Sequence, residues 1–414
     1  MYSGVWDTLS PFSAGFYWII YSIFGNSNLI FQILSVLLVF IHSAIFNTIM
    51  IKKGVFKDNN YIPAVVYVVL ASLYFDFFTV SPVMLGLTFI LLALNNIFGQ
   101  IEIRAKRDEK LLSTGLYFGI ATLFHFPFFI FGITILVVFI LFTATVRRRY
   151  FLYLFGFILP LLMTAFYYYF NNSLGLYWQN HILAWFTIET KVYLTNTLAF
   201  AIIGFVVFFQ ILSYWRILRR ARLNNYQSRL NQAVFFIMAM SAAILFIEVD
   251  RNAYVFLAFV PTSAFFISHY FTLAKKGFVS EIVFMVFIIA AGLFNFKSIS
   301  DSSKEGIFNI QSYFVMPNED YKSWDSSNIC WLGDNLEVYQ NSYAATPFVN
   351  WRLSAKVWEN SKRYQYLTLI TSSIEKDKPD VIIDPDGFMI NFLKQAPGLS
   401  EAYKKDGELY FRKD

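Results

Sequence analysis

Apolar positions form long unbroken runs between residues 28 and 296, without the polar stripe of a soluble helix or the alternation of a half-buried strand. A helix of roughly 20 apolar residues crosses the roughly 30 Å hydrocarbon core of a bilayer. The runs predict an all-α polytopic membrane bundle of about ten transmembrane helices. We place these helices at residues 28–50, 61–80, 82–98, 112–126, 127–146, 150–170, 195–215, 231–249, 253–273 and 278–296.

Two prolines mark turns between helices that abut each other. Pro82 and Pro127 each lie where one predicted helix gives way to the next. Proline lacks an N–H and has a fixed φ, which suits a turn better than a helix interior.

Basic residues fall in five clusters, and each cluster follows an odd-numbered helix. All five therefore lie on one face of the predicted bundle, which the positive-inside rule makes cytoplasmic. We interpret them as topology signals, with attraction to anionic lipid adding to that role. The clusters are Lys52, Lys53 and Lys57; Arg104, Lys106, Arg107 and Lys110; Arg147, Arg148 and Arg149; Arg216, Arg219, Arg220 and Arg222; and Lys275 and Lys276.

The same orientation makes both terminal segments, 1–27 and 300–414, extracytoplasmic. Within the first, Phe16–Phe24 is apolar and aromatic but too short to span, so we predict a helix lying in the outer interface. A chain that enters the membrane from outside without a signal suggests that a preceding span is missing, by evolution or by choice of start codon.

The composition changes to mixed polar after residue 300, and the pattern there predicts a small soluble α/β domain. We expect strands at 329–332 and 381–383, a helix at 358–375 and a closing edge strand at 408–412. The turns Gly333-Asp334 and Asp384-Pro385-Asp386-Gly387 fit a nucleotide or metal site, but Asp and Gly at strand ends are more often turn formers.

Composition supports the membrane assignment and excludes several other classes. Hydrophobic residues make up 57% of the chain and charged residues only 14%, against about 25% charged in a soluble domain. No basic face or reader motif indicates nucleic-acid binding. The single cysteine, Cys330, excludes a disulfide framework, and four scattered histidines give no metal-ligand spacing. We predict no metal site and no cofactor, with a divalent cation left open.

Two acids on the predicted outer face are candidate catalytic bases. Asp76 lies within the aromatic sequence FDFF near the outer end of the second helix, where an acid is costly unless it has a function or a basic partner. Asp7 lies in the first outer segment, and its alternative role is an ordinary solvated or helix-capping aspartate.

His125 and Arg251 come from different turns but are expected at the same depth. A phosphate held between an imidazolium and a bidentate guanidinium is a good leaving group. The alternative for His125 is a packed helix-end histidine. For Arg251 the alternative is pairing with Asp250 or Glu248.

The outer loop 171–193 is rich in aromatic and polar side chains. Trp178, His181, Trp185 and Glu189 are candidate contacts for a sugar or its acceptor. A belt of tryptophans at the membrane interface is the commoner explanation of this pattern.

The order of these segments resembles the C-type (GT-C) superfamily of membrane glycosyltransferases, across roughly residues 10–410. Segment 10–18 (SPFSAGFYW) occupies the place of the superfamily's H-P-P-x-x-Y-W stretch, and 28–53 is similar to its long span ending in basic residues. Ser81-Pro82-Val83-Met84 stands where the superfamily has an S-P segment and a P-D turn, here without the acid.

Later segments extend the resemblance. Residues 115–127 resemble the pattern G-x-x-x-G-x-A-x-x-x-K-x-P, with His125 where lysine is frequent. Residues 251–261 resemble its late R-Y-x-x-x-x-x-P pattern, and the closing sequence LYFRK at 409–413 is similar to its appended outer domain. The segments YIPAVVYVVLASLYFDFFTVSP and LFHFPFFIF look closer still to an uncharacterised bacterial family of polytopic inner-membrane proteins.

The resemblance implies a protein of the bacterial inner (plasma) membrane that transfers a sugar from a polyprenyl phosphate at the outer leaflet. The superfamily's catalytic carboxylate lies in the first outer loop, just after an initial span; this sequence begins near that point, and Asp7 is the acid there. A non-catalytic GT-C-like scaffold, or a partner subunit in a cell-envelope complex whose partner supplies the missing helix, is the alternative. A transporter or channel ranks lower, because we find no internal repeat and the charges cluster at one face.

Overall fold

The computed structural model describes most of the chain and is mainly helical. The described residues are 11–24, 28–101, 108–143, 147–183, 196–220, 223–247, 252–273, 278–300, 327–334, 337–339, 342–345, 348 and 351–413. The chain divides into two compact units, residues 27–310 and residues 1–26 with 311–414.

The larger unit is all-helical in its described part. Its helices of ten or more residues are α2 (Asn28–Lys52), α3 (Ile62–Ala71), α4 (Pro82–Ile101), α5 (Asp108–Phe124), α6 (Phe129–Phe142), α7 (Arg147–Phe170), α9 (Asn196–Arg220), α10 (Asn225–Ile247), α11 (Val260–Thr272) and α12 (Phe278–Ser300). The 14-residue helix α1 (Pro11–Phe24) is assigned to the other unit, and the short helix α8 (Leu174–Tyr177) is followed by a π-helix at Trp178–Leu183.

Seven helices in the described part of the chain are long and apolar enough to cross a membrane. They are Leu29–Lys52, Pro82–Ile101, Arg147–Phe170, Thr197–Arg219, Asn225–Leu245, Ala253–Thr272 and Ser280–Ser298. The prediction of a helical membrane protein is therefore confirmed, while the count of ten spans stays a prediction.

Glycines set the contact between α5 and α7. A side-chain carbon at Gly115 would overlap the carbonyl oxygen of Tyr153, and one at Gly119 would lie 2.5 Å from that of Phe157. On α7, a side-chain carbon at Gly156 would likewise overlap the carbonyl oxygen of Leu112. Lipid tails give helices no hydrophobic reason to associate, so close backbone approach at small residues supplies the packing instead.

Polar side chains on α9 form a ladder of hydrogen bonds to α11. Three residues at three-residue spacing on α9 share one face and donate across the interface. The bonds run from Gln210 Nε2 to Ser263 Oγ (2.9 Å), from Ser213 Oγ to the carbonyl oxygen of Phe266, and from Arg216 Nη1 to that of Tyr270 (2.8 Å).

The smaller unit contains a five-stranded mixed sheet. Its strands are β1 (Asn328–Trp331), β2 (Tyr343–Ala344), β3 (Val381–Ile383), β4 (Tyr403–Asp406) and β5 (Leu409–Arg412), in the order β2-β1-β3-β5-β4. β1 pairs in parallel with β2 and β3, in register at Ile329↔Val381, while β5 runs antiparallel to β3 and β4. The helices are α13 (Trp351–Glu359), α14 (Tyr364–Asp377), α15 (Phe388–Leu393) and α16 (Pro397–Ala402).

The α/β prediction is confirmed for this unit, with two local corrections. The single helix expected at 358–375 is two helices, α13 and α14, separated at residues 360–363. The strand near 408–412 is not at the edge, because β4 covers it on the side away from β3.

Asp384 confirms the turn-former interpretation of its DPDG sequence. Its carboxylate accepts hydrogen bonds from the amides of Phe388 (2.9 Å) and Met389 (2.7 Å), the first turn of α15. Gly387 adopts φ 76°, which only glycine takes readily. Burial raises the pKa of Asp384, and these amides oppose that shift.

We predict that Gly115→Ala lowers thermal stability in detergent, by about 1–3 kcal/mol of unfolding free energy, because the added methyl overpacks α5 against α7. Gly204→Ala on α9 is the matched control, since a carbon there meets nothing within 4 Å in the described part of the chain. Tryptophan-fluorescence melting curves measure both. Equal melting temperatures for the two variants would contradict the proposed packing.

We predict that Asp384→Ala accelerates amide exchange at Phe388 and Met389, because those donors lose their acceptor at a cost of about 1 kcal/mol. The control is Asp386→Ala, which changes an exposed carboxylate in the same turn. Hydrogen–deuterium exchange read by mass spectrometry on the full chain decides. Unchanged exchange in α15 would show that the cap contributes nothing.

Candidate functional site

The backbone leaves helical geometry between the end of α3 and the start of α4. Residues 72–81 contain only a 3₁₀ turn, Phe75–Phe78. Two long helices each donate a hydrogen bond to one of its carbonyl oxygens: Ser35 Oγ on α2 to that of Phe78 (2.6 Å), and Asn295 Nδ2 on α12 to that of Ser72 (2.8 Å). We call residues 72–81 the broken segment.

The positions of Ser35 and Asn295 on their helices show how far the broken segment lies from the helix ends. Ser35 lies seven residues from the start of α2, which at the helical rise is about 10 Å along the axis. Asn295 lies five residues from the end of α12, about 8 Å along its axis. Non-helical backbone at such depth is found only where it is buried in protein or lines a cavity.

Asp76 is the buried carboxylate of the broken segment. Its side chain is 8% exposed, and Oδ2 accepts a hydrogen bond from the amide of Tyr254 (2.9 Å). Tyr254 belongs to a 3₁₀ helix, Ala253–Phe259, that leads into α11. The carboxylate therefore joins two places where the backbone departs from α-helix.

His125 lies at the same end of α4. It follows the last residue of α5, is 2% exposed, and its ring lies 4.9 Å from that of Phe128 in an edge-on contact. Phe128 in turn lies against Gly86, one turn into α4, where a side-chain carbon would come 2.6 Å from its ring. Gly86 makes room for the turn that carries His125.

The structure describes part of the loop that follows α7. His181, in the π-helix, lies 5.4 Å from the ring of Tyr177 and 5.9 Å from that of Tyr168, and those two tyrosines stack at 4.8 Å. Trp178 is 53% exposed. π-Helical turns are frequent at functional sites, and the exposed ring of Trp178 suits either sugar or headgroup contact, whereas Tyr177 in the stack is buried.

Four predicted site residues lie outside the described residues. They are Asp7, Trp185, Glu189 and Arg251. The chain nevertheless links Arg251 to the site, because it precedes Tyr254 by three residues. The structure thus brings together Asp76 and the segment directly after Arg251, and places His125 at the same end of α4.

Sequence reasoning missed Ser35 and Asn295. Each is one of a few polar residues near a helix end opposite the basic clusters, with Gln32 close to Ser35 and Lys297 close to Asn295. That position is the signal that could have identified them, since a polar side chain inside a membrane helix needs a partner.

An apolar cavity adjoins the broken segment. Phe77 lines it beside Leu73, with Ile202 and Val206 from α9 and Phe256 from the 3₁₀ helix that carries Tyr254. Asp76 is therefore directly followed in sequence by a cavity-lining residue. The cavity is about 10 Å³ in volume, room for about one water molecule, so it is a packing gap beside the broken segment rather than a ligand pocket.

No family model, characterised protein or solved structure matches this chain. Among the described residues, no group of three or more His, Cys, Asp or Glu side chains is arranged to hold a metal ion.

We predict that Asp76→Ala lowers the melting temperature, because the buried amide of Tyr254 loses its acceptor at a cost of about 1–3 kcal/mol. Asp76→Asn keeps an acceptor oxygen and should retain most of the stability. Thermal unfolding in detergent compares them. If alanine and asparagine destabilise equally, the hydrogen bond is not what holds the two segments together.

Proposed function

We propose that this chain is a membrane glycosyltransferase that takes a sugar from a polyprenyl phosphate at the outer leaflet of a bacterial inner membrane. The observation that carries the proposal is the hydrogen bond between Asp76 and the amide of Tyr254. It joins the buried acid to the segment that begins with Arg251, the predicted phosphate ligand. The sequence resemblance to the GT-C superfamily supplies the reaction class.

The reaction requires a base and a cation at the membrane boundary, because the long lipid stays in the bilayer. In our proposal Asp76 accepts the proton of the acceptor hydroxyl while the oxygen of that hydroxyl attacks the anomeric carbon of the sugar. The bond from that carbon to the phosphate oxygen breaks, and the phosphate leaves with the electron pair. Arg251 and His125 stabilise its negative charge.

Trp178 and His181 are the proposed sugar or acceptor contacts. The C-terminal α/β unit is proposed to lie on the extracytoplasmic side, as the basic clusters predict.

Lipid binding tests the proposal first. Purified protein in lipid nanodiscs is titrated with undecaprenyl phosphate, using wild type, Arg251→Ala and the control Arg219→Ala from a basic cluster at the predicted opposite face. We expect binding by wild type and the control, and at least tenfold weaker binding by Arg251→Ala, the loss typical of one charged hydrogen-bond partner. Absence of binding in all three would overturn the glycosyltransferase proposal for this chain alone.

A non-catalytic scaffold is the second candidate, and one observation favours it. Asp76 already has a structural task, because it is buried and holds the amide of Tyr254. Asp76→Asn separates the two candidates, since it keeps an acceptor but cannot take up a proton. Sugar release from a polyprenyl-phosphate donor that is lost in this variant supports catalysis. Equal release by wild type and variant removes Asp76 as the base.

A further inference from the structure

A histidine is buried near the middle of α2. His42 is 1% exposed and lies fourteen residues after the start of α2 and ten before its end. At the helical rise it is therefore about 15 Å or more from either end. An ionisable side chain at such depth in a membrane-crossing helix is costly, so a partner or a function is needed to explain it.

His42 contacts both helices that flank the broken segment. A hydrogen bond of 2.8 Å joins its Nε2 to Thr88 Oγ1 on α4, seven residues after the segment ends. Its ring centroid lies 6.4 Å from that of Tyr67, in an edge-on contact on α3, five residues before the segment begins. Phe46, one turn further along α2, lies 5.4 Å from the same tyrosine ring. One face of α2 therefore packs against the helix on each side of the break.

The same face of α2 also reaches the broken segment itself. Ser35 precedes His42 by seven residues, about two helical turns, so the two side chains lie on one face. Ser35 Oγ donates a hydrogen bond to the carbonyl oxygen of Phe78 within the segment. The rotation of α2 about its axis that places His42 opposite Thr88 therefore also places Ser35 against Phe78.

Thr88 differs from other buried hydroxyl residues in how its side chain is bonded. Thr114, Thr122 and Thr134 each donate to the carbonyl oxygen four residues earlier in their own helix. In the part of the chain that the structure describes, the hydrogen bond of the Thr88 side chain is the one with His42. A polar contact between buried helix faces specifies which residues lie opposite each other, as a single buried polar residue does in a coiled coil.

We propose that His42 is a positioning residue for the candidate site. Its contacts set the rotation of α2 against α3 and α4, and they thereby hold the broken segment that carries Asp76. The inference rests on the proposed function for what the site does, whereas the placement of the segment is a property of the fold. His42 touches none of the reacting groups and acts through the helices.

Amide exchange of residues 72–81 tests this inference on the full chain in lipid nanodiscs, read by mass spectrometry. His42→Leu removes the hydrogen bond, and His42→Gln keeps an amide that can take the place of the ring nitrogen. Thr88→Val and Thr88→Ser make the same comparison from α4. Ser43→Ala is the matched control, because Ser43 is the next residue of α2, is buried, and donates to the carbonyl oxygen of Phe40 in its own helix.

We expect exchange in residues 72–81 to be about fivefold faster in His42→Leu and in Thr88→Val. The double variant should match the single ones, because each removes the same hydrogen bond. His42→Gln, Thr88→Ser and the control should exchange like wild type. Faster exchange spread evenly along α2 and α4, no rescue by glutamine, or wild-type exchange in both His42→Leu and Thr88→Val would overturn the inference.

Binding of undecaprenyl phosphate separates a failure of this inference from a failure of the proposed function. We expect about fivefold weaker binding by His42→Leu than by wild type, and recovery in His42→Gln. Equal binding by wild type and His42→Leu would remove His42 as a positioning residue for the site. If wild type does not bind, the proposed function fails, and the exchange rates alone decide whether His42 holds the broken segment.

Discussion

Backbone hydrogen bonding in lipid is the constraint on which the larger unit depends. With no water in the hydrocarbon core, each N–H and C=O must find a partner within the protein, and helices provide that automatically. The broken segment gives up this advantage at residues 72–81. Ser35, Asn295 and Asp76 each form a hydrogen bond with the backbone there or with the segment packed against it. Because three separate side chains stabilise this break, we expect the functional site to lie there.

The two ends of the larger unit carry different kinds of residue. At one end, 3₁₀ turns at Phe75–Phe78, Phe126–Phe128 and Ala253–Phe259 precede α4, α6 and α11, and they carry or adjoin Asp76 and His125. At the other end the helices run on to basic residues such as Lys53 and Arg216. Between the ends, glycine contacts and the hydrogen bonds of α9 to α11 hold the helices without a hydrophobic driving force. The buried acid Asp76 and the basic residues therefore lie at opposite ends of this unit.

Much of this arrangement is readable from the sequence, because membrane spans need long apolar runs and orientation follows basic clusters. The strand at Val381–Ile383 was predictable as well, because it is an apolar run that ends in turn residues. The position of β5 was mispredicted because its partner β4 reads YKKD, three polar residues with no strand alternation. Residues 360–363 contain no proline or glycine, so the sequence does not indicate that one helix ends and another begins there. Partners such as Asn295 for Ser72 depend on tertiary packing, which one sequence does not reveal.

The orientation of the two ends is the claim on which the proposed site depends, and cysteine labelling tests it most directly. Cys330 is the only cysteine, so Cys330→Ser gives a background for single cysteines at Asn171, after α7, and at Lys57, after α2; both positions are exposed. Intact cells are treated with a membrane-impermeant maleimide. The account predicts labelling at position 171 in intact cells and at position 57 only after permeabilisation. The reverse pattern would place Asp76 on the cytoplasmic side and contradict an outer-leaflet reaction.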